Sequence, residues 1–348
     1  MPKVVSYFSQ ELFKKRKGEI PPGWDFDFAT DTEEEAIIKA CQGADYLLVT
    51  AANPTITANV IQNINSIRHL QVFGAGFDKI DLEAARKVNL PVANTPGQNA
   101  TTVAEFTIAM IVLLQRKIFV ANREVKAGKH AEIEREFIMG NYREIRGSKV
   151  GLLGLGAIGK LVAQLLKIMG ASVCYYDIFR PDKSVEEELS LTYCSFEDVL
   201  KNSDIVSLHL PLNNDTRDII STKEFAMMKP GAILINTARG EIVDQIALAE
   251  ALESGRLGGA GIDHFGAVVK HYGAVDGQSS TPAPEPDQHP LLTMSQDAND
   301  RFIATSHIAG VTAPSFERML KESLDNLLRV EAGDDPKYVV NGVSKIRK

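Results

Sequence analysis

The chain has few of the features that mark several large classes of protein. Its 348 residues include only three cysteines, Cys41, Cys174 and Cys194, at spacings unlike those of metal sites or disulfide frameworks. We therefore expect reduced, mostly buried thiols, no metal site and a cytoplasmic protein. No apolar run approaches the roughly 18 residues that a membrane span needs. The first fifteen residues also lack the apolar segment of a signal peptide.

A basic surface is missing as well. The formal net charge is −7, and no stretch concentrates lysine and arginine, which argues against nucleic acid as a partner. The apolar content of 44% and charged content of 24% are typical of a soluble globular protein. A chain of this length can form two domains, each with its own core.

Residues 149–177, KVGLLGLGAIGKLVAQLLKIMGASVCYYD, carry the clearest positive signal in the chain. A short apolar run typical of a buried strand comes first, then three glycines, a helix-forming segment and a second strand. These parts are residues 150–153, Gly154, Gly156, Gly159, residues 158–169 and residues 171–176. The glycines have the G-x-G-x-x-G spacing of dinucleotide-binding folds, in the strand–helix–strand context that the motif requires. The alternative is an ordinary βαβ turn that binds no ligand.

Each part of this segment has a separate physical role in holding a dinucleotide. Gly154 permits a tight turn, Gly156 lets backbone amides approach a pyrophosphate, and Gly159 lets the helix pack closely on the strand. Asp177 follows Gly159 by 18 residues, where its carboxylate can bind both ribose hydroxyls. That negative charge repels the 2′-phosphate of NADP, so the sequence predicts NAD and makes NADP less favourable. Arg180, three residues further on, could soften the repulsion.

Short apolar strands alternate with helix-forming stretches through the first hundred residues. The candidate strands are residues 3–8, 25–29, 46–50, 71–73 and 92–93, and the candidate helices are residues 32–41, 57–63 and 82–88. This alternation predicts a small α/β domain with a parallel sheet between helices. At the end of the fourth strand, the amides of Ala75 and Gly76 lie in a glycine-flanked turn that can bind an anion, although a plain tight turn has the same sequence.

A long apolar helix, residues 101–115, should lead into a second domain, followed by charged surface helix and loop over 117–147. After Asp177 we expect helices at 196–200, 222–228 and 244–254 and strands at 205–208, 232–235, 260–262 and 302–305. Several of these strands end in polar residues, so their side chains should meet at the edge where open α/β sheets bind ligands. Residues 266–284 are typical of a flexible loop. A tail helix, 314–331, should pack back on the first domain.

The motifs GAGFD, VAEFT, GLGAIG, TARG followed by VD, GIDHF and HIAG occur in this order between Gly74 and Gly310. In this order they resemble the D-isomer-specific 2-hydroxyacid dehydrogenases. The resemblance implies an α/β fold in which a Rossmann-type NAD-binding domain, residues 104–310, is inserted in a flavodoxin-like substrate domain, residues 1–103 and 311–348. It also implies a homodimer and a small 2-oxo or 2-hydroxy acid as substrate.

The resemblance further implies an arginine, a glutamate and a histidine as the catalytic set. Arg239, in TARG, and His307, in SHIAG, match the first and last of these. The Arg239 guanidinium can bind the substrate by pairing with the carboxylate of a 2-oxo acid, or it can polarise the carbonyl. The family's glutamate position, five residues after Asp263, is occupied by Val268. We interpret residues 266–284 as an insertion, which makes Glu285, 22 residues before His307, the catalytic carboxylate. The alternative is a solvated Glu285 and an incomplete set.

In the expected mechanism a hydride passes from NADH to the carbonyl carbon, while His307 donates a proton to the carbonyl oxygen. Glu285 would orient the imidazole, Arg239 would stabilise the oxyanion, and the amides of Ala75 and Gly76 would hold the carboxylate. We expect cofactor contacts from the glycine loop, the following strand ends and one position of the long helix. These residues are Gly154, Gly156, Ala157, Ile158, Gly159, Asp177, Leu210, Pro211, Thr216, Thr237, Ala238, Asp263, His307, Gly310 and Thr107.

Two other functions stay open on the sequence. Some relatives are NAD-sensing binding proteins of the corepressor type, and others oxidise formate or phosphite. An intact arginine and histidine, together with Glu285 as the candidate glutamate, favour an enzyme over a sensor. Neither the particular 2-hydroxy acid nor the role of residues 266–284 follows from the sequence; Lys270, His271 and Tyr272 could contact a larger acid, or the segment could cover a dimer edge.

Overall fold

The structure is a computed structural model that describes residues 1–264 and 289–344. In this part of the chain the backbone forms two compact units. Unit 1 comprises residues 1–99 and 311–344, and unit 2 comprises residues 100–264 and 289–310. Both ends of the described chain therefore belong to unit 1, and unit 2 is formed by the middle of the chain.

Unit 1 is built on a parallel sheet whose strands have the order β2-β1-β3-β4-β5. This is the strand order of flavodoxin-like folds. The strands are β1 (Lys3–Ser6), β2 (Asp25–Phe28), β3 (Tyr46–Thr50), β4 (His69–Phe73) and β5 (Val92–Ala93). The helices between them are α1 (Gln10–Lys15), α2 (Glu34–Ala40), α3 (Ala58–Asn63) and α4 (Leu82–Lys87). The sequence predicted every one of these elements except α1.

The tail of the chain covers one face of the sheet of unit 1. Helix α14 (Ala313–Glu331) follows unit 2 in the chain, and its apolar side packs on strands β1, β3 and β4. The buried contact includes Met319, Leu320 and Leu327 of the helix against Val4 and Leu48 of the strands. The helix ends at Glu331 with Ala332 as its C-cap, and Gly333 follows with a φ of +92°, as glycine does after helix C-caps. The predicted return of the tail to the first domain is confirmed.

Unit 2 contains a larger parallel sheet with the order β12-β11-β10-β9-β6-β7-β8 among the described residues. Beginning at β6, the chain adds two strands on one side and then the others on the opposite side, which is the doubly wound Rossmann order. The strands are β6 (Lys149–Leu153), β7 (Ser172–Tyr176), β8 (Thr192–Tyr193), β9 (Ile205–Leu208), β10 (Ala232–Asn236), β11 (Leu257–Ile262) and β12 (Phe302–Ala304). The α/β fold class predicted from the sequence is confirmed.

Helices cover the sheet of unit 2. They are α5 (Ala100–Gln115), α6 (Ile118–Lys126), α7 (His130–Met139), α8 (Ala157–Ile168), α9 (Lys183–Leu189), α10 (Phe196–Asn202), α11 (Thr222–Met227), α12 (Gln245–Glu253) and α13 (Gln296–Asn299). The long helix α5 packs on α8 and on the strands β10 and β11, and its buried residues join the core formed by β6 and β7. The sequence analysis missed α9, α13 and the short edge strand β8.

No helix of the described part of the chain combines the length and apolar character needed to cross a bilayer. All three cysteines are free thiols: Cys41 is buried, and Cys174 and Cys194 are half-buried. Burial raises the pKa of the Cys41 thiol to about 12, so this thiol stays protonated at neutral pH.

Candidate active site

The turn between β6 and α8 leaves no room for side chains at two of its three glycines. Gly154 has a φ of +98°, and a Cβ placed on it would lie 2.5 Å from the carbonyl oxygen of His209. A Cβ on Gly159 would lie 2.4 Å from the carbonyl oxygen of Gly154. A Cβ on Gly156 would meet nothing within 4 Å, so open space lies above this residue. These are the constraints expected of a loop that a pyrophosphate approaches.

The N-terminus of α8 is suited to an anion. The helix begins at Ala157, and its N-cap is Gly156, which has no side chain to cap the amides of the first turn. Ala157 is exposed and Ile158 is half-buried, so the start of the helix is accessible from solvent. Exposed amides and the helix dipole together favour a phosphate group here. Because the tight turn, the open space and the free helix end coincide, the residues present fit a dinucleotide.

Asp177 follows β7 at the carboxyl edge of the sheet. Its Oδ2 accepts the amide of Leu155 at 2.7 Å, and its Oδ1 accepts the amide of Phe179 at 2.9 Å. Both carboxylate oxygens are therefore fixed in place, and each has a second lone pair for a ribose hydroxyl. Arg180 does not approach this carboxylate in any hydrogen bond or ion pair of the described residues. It binds Glu186 instead, with contacts of 2.7 and 3.0 Å.

The segment after β9 borders the glycine turn. A Cβ on Gly154 would lie 3.3 Å from Cδ2 of Leu210, so this leucine packs directly on the turn. Pro211 and Thr216 close the loop, because the Thr216 hydroxyl donates to the carbonyl oxygen of Pro211 at 2.6 Å. The backbone of this loop therefore has a defined position at the same edge as the helix N-terminus. A cofactor contact for Leu210, Pro211 and Thr216 stays a prediction.

A pair of buried threonines lies beneath the segment after β10. The Thr107 hydroxyl, on α5, donates to the carbonyl oxygen of Val103 at 2.8 Å and therefore accepts from Thr237, whose oxygen is 3.0 Å away. Thr107 is fully buried and Thr237 is 7% exposed. The hydrogen bond with Thr107 of α5 thus fixes the position of the Thr237 side chain. Direct contact of Thr107 or Thr237 with a cofactor stays a prediction.

The turn that carries Arg239 is held by Asn236, the last residue of β10. The Asn236 side chain accepts the amide of Ala238 at 3.0 Å and donates to the carbonyl oxygen of Arg239 at 2.8 Å. The half-buried Arg239 donates through Nη1 to the carbonyl oxygen of Ala238 at 3.0 Å. Sequence analysis assigned Asn236 no role, although asparagine at a strand end is a known signal for such side-chain-to-backbone turns.

Asp263, at the end of β11, ties this turn to the segment that carries His307. Its amide donates to the carbonyl oxygen of Asn236 at 3.0 Å, and its own carbonyl oxygen accepts the amide of His307 at 2.5 Å. His307 has a φ of +58°, a conformation in which residues other than glycine are uncommon. The fixed backbone on both sides of Asp263 places Arg239 and His307 after the two strands that flank β11.

The Asp263 carboxylate stabilises the His307 turn directly. Oδ1 accepts the Thr305 hydroxyl at 2.6 Å and the Ile308 amide at 2.9 Å, and Oδ2 accepts the Ala309 amide at 2.9 Å. The residue is 1% exposed. Burial raises the pKa of the Asp263 carboxyl, while these hydrogen bonds and the charge of Arg239 act in the opposite direction. The predicted cofactor contacts of Asp263 and Gly310 stay predictions; the geometry gives Asp263 a structural role in this turn.

His264 is a second imidazole at this edge. Its ring meets that of His307 edge to face, with 4.7 Å between the centroids and an interplanar angle of 82°. Its Nδ1 lies 3.9 Å from Oε2 of Glu241. The resemblance implies valine at this position, and no role for His264 follows from the sequence. The contact with His307 is long-range, because the two residues follow different strands.

The turn with Ala75 and Gly76 belongs to unit 1 and follows β4. The amide of Gly74 donates to the Thr95 hydroxyl at 2.9 Å, and the Asn94 side chain donates to the carbonyl oxygen of Ala75 at 2.7 Å. These contacts fix the turn. Within the described residues, the amides of Ala75 and Gly76 donate to no protein acceptor, so this turn offers the two donors that the predicted carboxylate binding requires.

Glu285 and residues 266–284 lie outside the described residues, as does Phe265. The predicted catalytic carboxylate is therefore still a prediction. The described part of the chain brings together Arg239, His307 and Asp263 at one edge of the sheet of unit 2, with the glycine turn and Asp177 at the same carboxyl edge.

Comparison with known proteins identifies the family. Residues 108–309 match the model of the D-isomer specific 2-hydroxyacid dehydrogenase, NAD binding domain. The chain is 32% identical to a glyoxylate reductase from Korarchaeum cryptofilum, over 99% of this chain and 93% of that protein. It is 31% identical to a hydroxypyruvate reductase from Thermotoga maritima, over 85% and 88% of the two chains.

Solved structures with the same fold include a D-isomer specific 2-hydroxyacid dehydrogenase from Lactobacillus delbrueckii ssp. bulgaricus in its NAD-complexed form. It superposes with a TM-score of 0.74 at 28% sequence identity, and the match covers 98% of this chain and all of that one. The matched family model spans more than half of this chain and includes the glycine turn, Arg239 and His307. The chain belongs to the family of D-isomer-specific 2-hydroxyacid dehydrogenases.

Proposed function

We propose that the chain reduces a small 2-oxo acid, of the size of glyoxylate or hydroxypyruvate, to the D-2-hydroxy acid with NADH. As a member of its family it is an NAD-dependent oxidoreductase that interconverts 2-oxo and 2-hydroxy acids. The choice of a small acid rests on the reductases to which the chain is similar. The observation that supports the proposed catalytic roles is that Arg239 and His307 lie in the turns after β10 and β12, the two strands that flank β11.

The proposed chemistry assigns one task to each side chain. The nicotinamide cofactor, when bound, supplies the hydride that the carbonyl carbon accepts. The guanidinium of Arg239 stabilises the negative charge that develops on the carbonyl oxygen, and His307 donates the proton that this oxygen takes up. The free amides of Ala75 and Gly76 hold the substrate carboxylate. Glu285 orients the imidazole of His307 and favours its protonated form.

NAD is the proposed cofactor in preference to NADP. Asp177 presents a fixed carboxylate where the ribose is expected, and a 2′-phosphate beside it would be repelled. Arg180, three residues after Asp177, is engaged by Glu186. Both observations support NAD. Isothermal titration of the protein with NADH and with NADPH tests this choice, and equal affinity would contradict it.

The proposed activity is tested with NADH and a panel of glyoxylate, hydroxypyruvate, pyruvate and longer 2-oxo acids, with chiral analysis of the product. The variants His307→Ala and Glu285→Gln should lower kcat by about 10²-fold or more, as loss of a general acid or its partner does. His130→Ala, which removes an exposed histidine of α7, is the matched control and should leave kcat unchanged. An L-hydroxy acid product would contradict the proposal.

The assay also separates the other two functions considered for the sequence. A protein that binds NADH tightly and turns over none of the 2-oxo acids would act as a sensor of the corepressor type. Reduction of NAD by formate or phosphite, with no reaction of the 2-oxo acids, would indicate the other dehydrogenase activity. We also propose a cytoplasmic homodimer, and light scattering after gel filtration would contradict this if it gave the monomer mass of 38.0 kDa.

A further inference from the structure

We propose that Glu186 is a specificity-determining residue, because it withholds Arg180 from the 2′ position of the adenosine ribose. In this proposal the preference for NAD depends on two carboxylates. Asp177 repels the 2′-phosphate, and Glu186 binds the Arg180 guanidinium, which would otherwise attract this phosphate. The inference rests on the proposed NAD-dependent function and adds a residue that contacts neither cofactor nor substrate.

The arginine and the glutamate are joined in the geometry that guanidinium groups favour with carboxylates. Arg180 Nε lies 2.7 Å from Glu186 Oε1, and Arg180 Nη2 lies 3.0 Å from Glu186 Oε2. Two parallel hydrogen bonds of this kind fix the direction of the guanidinium as well as its position. The same fork would be required to bind a phosphate. Arg180 can serve one of these two partners at a time.

Glu186 is itself held on its other side. The Tyr175 hydroxyl donates to Glu186 Oε1 at 2.6 Å, and Tyr175 is fully buried in β7. The side chain of Glu186 is only 12% exposed, whereas that of Arg180 is 51% exposed. The hydrogen bonds from Arg180 and Tyr175 lower the pKa of Glu186 to about 2, so the carboxylate is charged at any physiological pH. The glutamate is the fixed member of the pair.

A third contact fixes the arginine. The guanidinium carbon of Arg180 lies 4.6 Å from the centre of the Tyr193 ring, at the end of β8. This is within the range of a cation–π interaction. The arginine is thus bound by a charge from α9 and by an aromatic face from β8. Strand β8 is the edge strand beside β7, on the side away from the centre of the sheet.

Arg180 is nevertheless close enough in the chain to serve a 2′-phosphate. It follows Asp177 by three residues, and the hydrogen bond from the Phe179 amide to Asp177 Oδ1 closes the turn between them. Phe179 and Arg180 are both exposed. An arginine in this turn, if released, has the reach and the charge to pair with a phosphate on the ribose that Asp177 binds. Only the direction of the Arg180 side chain would have to change for it to leave Glu186 and pair with the phosphate.

The test compares Glu186→Gln with Glu187→Gln, the neighbouring glutamate on α9. Both variants lose one negative charge, but the exposed Glu187 makes no side-chain contact with Arg180 among the described residues. We measure dissociation constants for NADPH, NADH and 2′,5′-ADP by isothermal titration. Glu186→Gln should tighten NADPH and 2′,5′-ADP by about 10-fold, the scale of one new charge-assisted contact. NADH should change by less than about 2-fold, and Glu187→Gln should change none of them.

Replacement of the arginine completes the test. Arg180→Gln alone should leave the NADPH affinity unchanged, because Arg180 is already engaged; in the Glu186→Gln background it should abolish the gain. If Arg180→Gln alone weakens NADPH several-fold, the arginine already serves the phosphate and the proposal is wrong. If Glu186→Gln is folded, as its melting curve shows, and binds NADPH no more tightly than the unaltered protein, the proposal is also wrong. Glu186→Ala repeats this test with a side chain that has no amide.

The result distinguishes this inference from the proposed function. If the unaltered protein binds NADH and turns over a 2-oxo acid but the Glu186 variants show no gain for NADPH, only the role of Glu186 is refuted. If the unaltered protein binds neither dinucleotide, the proposed function and the role of Glu186 are both refuted.

Discussion

The substitution Asp263→Asn tests whether one buried carboxylate holds the His307 turn. The carboxylate accepts three hydrogen bonds, from the Thr305 hydroxyl and from the amides of Ile308 and Ala309. An asparagine has nearly the same shape but only one acceptor oxygen. If that oxygen keeps the two donors at Oδ1, the new NH₂ group faces the Ala309 amide, and two donors oppose each other in a site that is 1% exposed.

The expected cost follows from these contacts. A hydrogen bond to a charged group contributes about 1.5–3 kcal/mol, and a buried donor left without an acceptor costs about 1–3 kcal/mol. Burial disfavours the charged carboxylate, as the raised pKa of Asp263 indicates, so removal of the charge offsets part of this cost. We therefore expect Asp263→Asn to lower the free energy of unfolding of unit 2 by about 3 kcal/mol. A displacement of His307 by about 1 Å would lower kcat by about 10²-fold.

Urea unfolding of the full chain measures the loss, with two probes that separate the units. The single tryptophan, Trp24, stacks on Tyr46 in unit 1, so its fluorescence reports on that unit. Circular dichroism follows the helices of both units. Hydrogen exchange at the amides of Ile308 and Ala309 reports on the turn itself. Faster exchange there and an earlier transition by circular dichroism, with the fluorescence transition unchanged, is the expected result.

Asp297→Asn on α13 is the matched control, because the same chemical change is made at a side chain that is 84% exposed. It should change the stability by less than about 0.5 kcal/mol. The reasoning is refuted if Asp263→Asn is as stable as this control and exchanges its Ile308 and Ala309 amides at the rate of the unaltered protein. In that case the carboxylate would add nothing to the turn.

Three further predictions follow from other contacts. Gly159→Ala places a methyl group 2.4 Å from the Gly154 carbonyl oxygen, so NADH should bind at least about 10-fold more weakly by titration, and unchanged binding would contradict a close-packed turn. His69 is fully buried, and burial lowers the pKa of its imidazole to about 4. In the unfolded chain this imidazole takes up a proton near pH 6.5. The free energy of unfolding should therefore fall by up to about 3 kcal/mol as the pH is lowered from 6.5 to 4. The Trp24 transition in urea measures that slope, and His69→Gln should flatten it. His264→Val removes the ring that packs edge to face on His307, so kcat/KM should fall while the melting temperature changes little; an unchanged kcat/KM would exclude a role for this contact.

The sequence predicted those parts of the site that depend on local pattern. The glycine turn, Asp177 and the polar residues after β10, β11 and β12 were all found, because each strand is a short apolar run that ends in polar residues. That Arg239 and His307 follow strands ending at one edge of the sheet also agrees with the sequence pattern, since parallel strands point the same way; their catalytic roles stay predictions. Boundaries differed mainly where residues carry mixed signals, as at Gly258 and Gly259 of β11, which begins three residues earlier than predicted.

The parts that were missed depend on contacts between distant residues. Helix α1 has only six residues and one buried side chain, Phe13, too few for a helical period to be visible. Helix α9 is similarly short and largely polar, and no local pattern in the sequence predicts that its Glu186 binds Arg180. The sequence therefore leaves the role of Arg180 open. His264 contacts His307 across two strands, and such a contact leaves no local pattern in the sequence.

The packing of α14 on the first strands has a consequence for synthesis of the chain. On the ribosome, β1 to β5 emerge long before α14, and the whole of unit 2 is translated between them. The apolar face that includes Val4 and Leu48 has no cover during that interval. Unit 2 is formed by a nearly continuous stretch of the sequence and can fold as it emerges. Unit 1 can complete its fold only after α14 has been translated. Nascent chains halted before α14 should therefore be the species that chaperones bind most strongly.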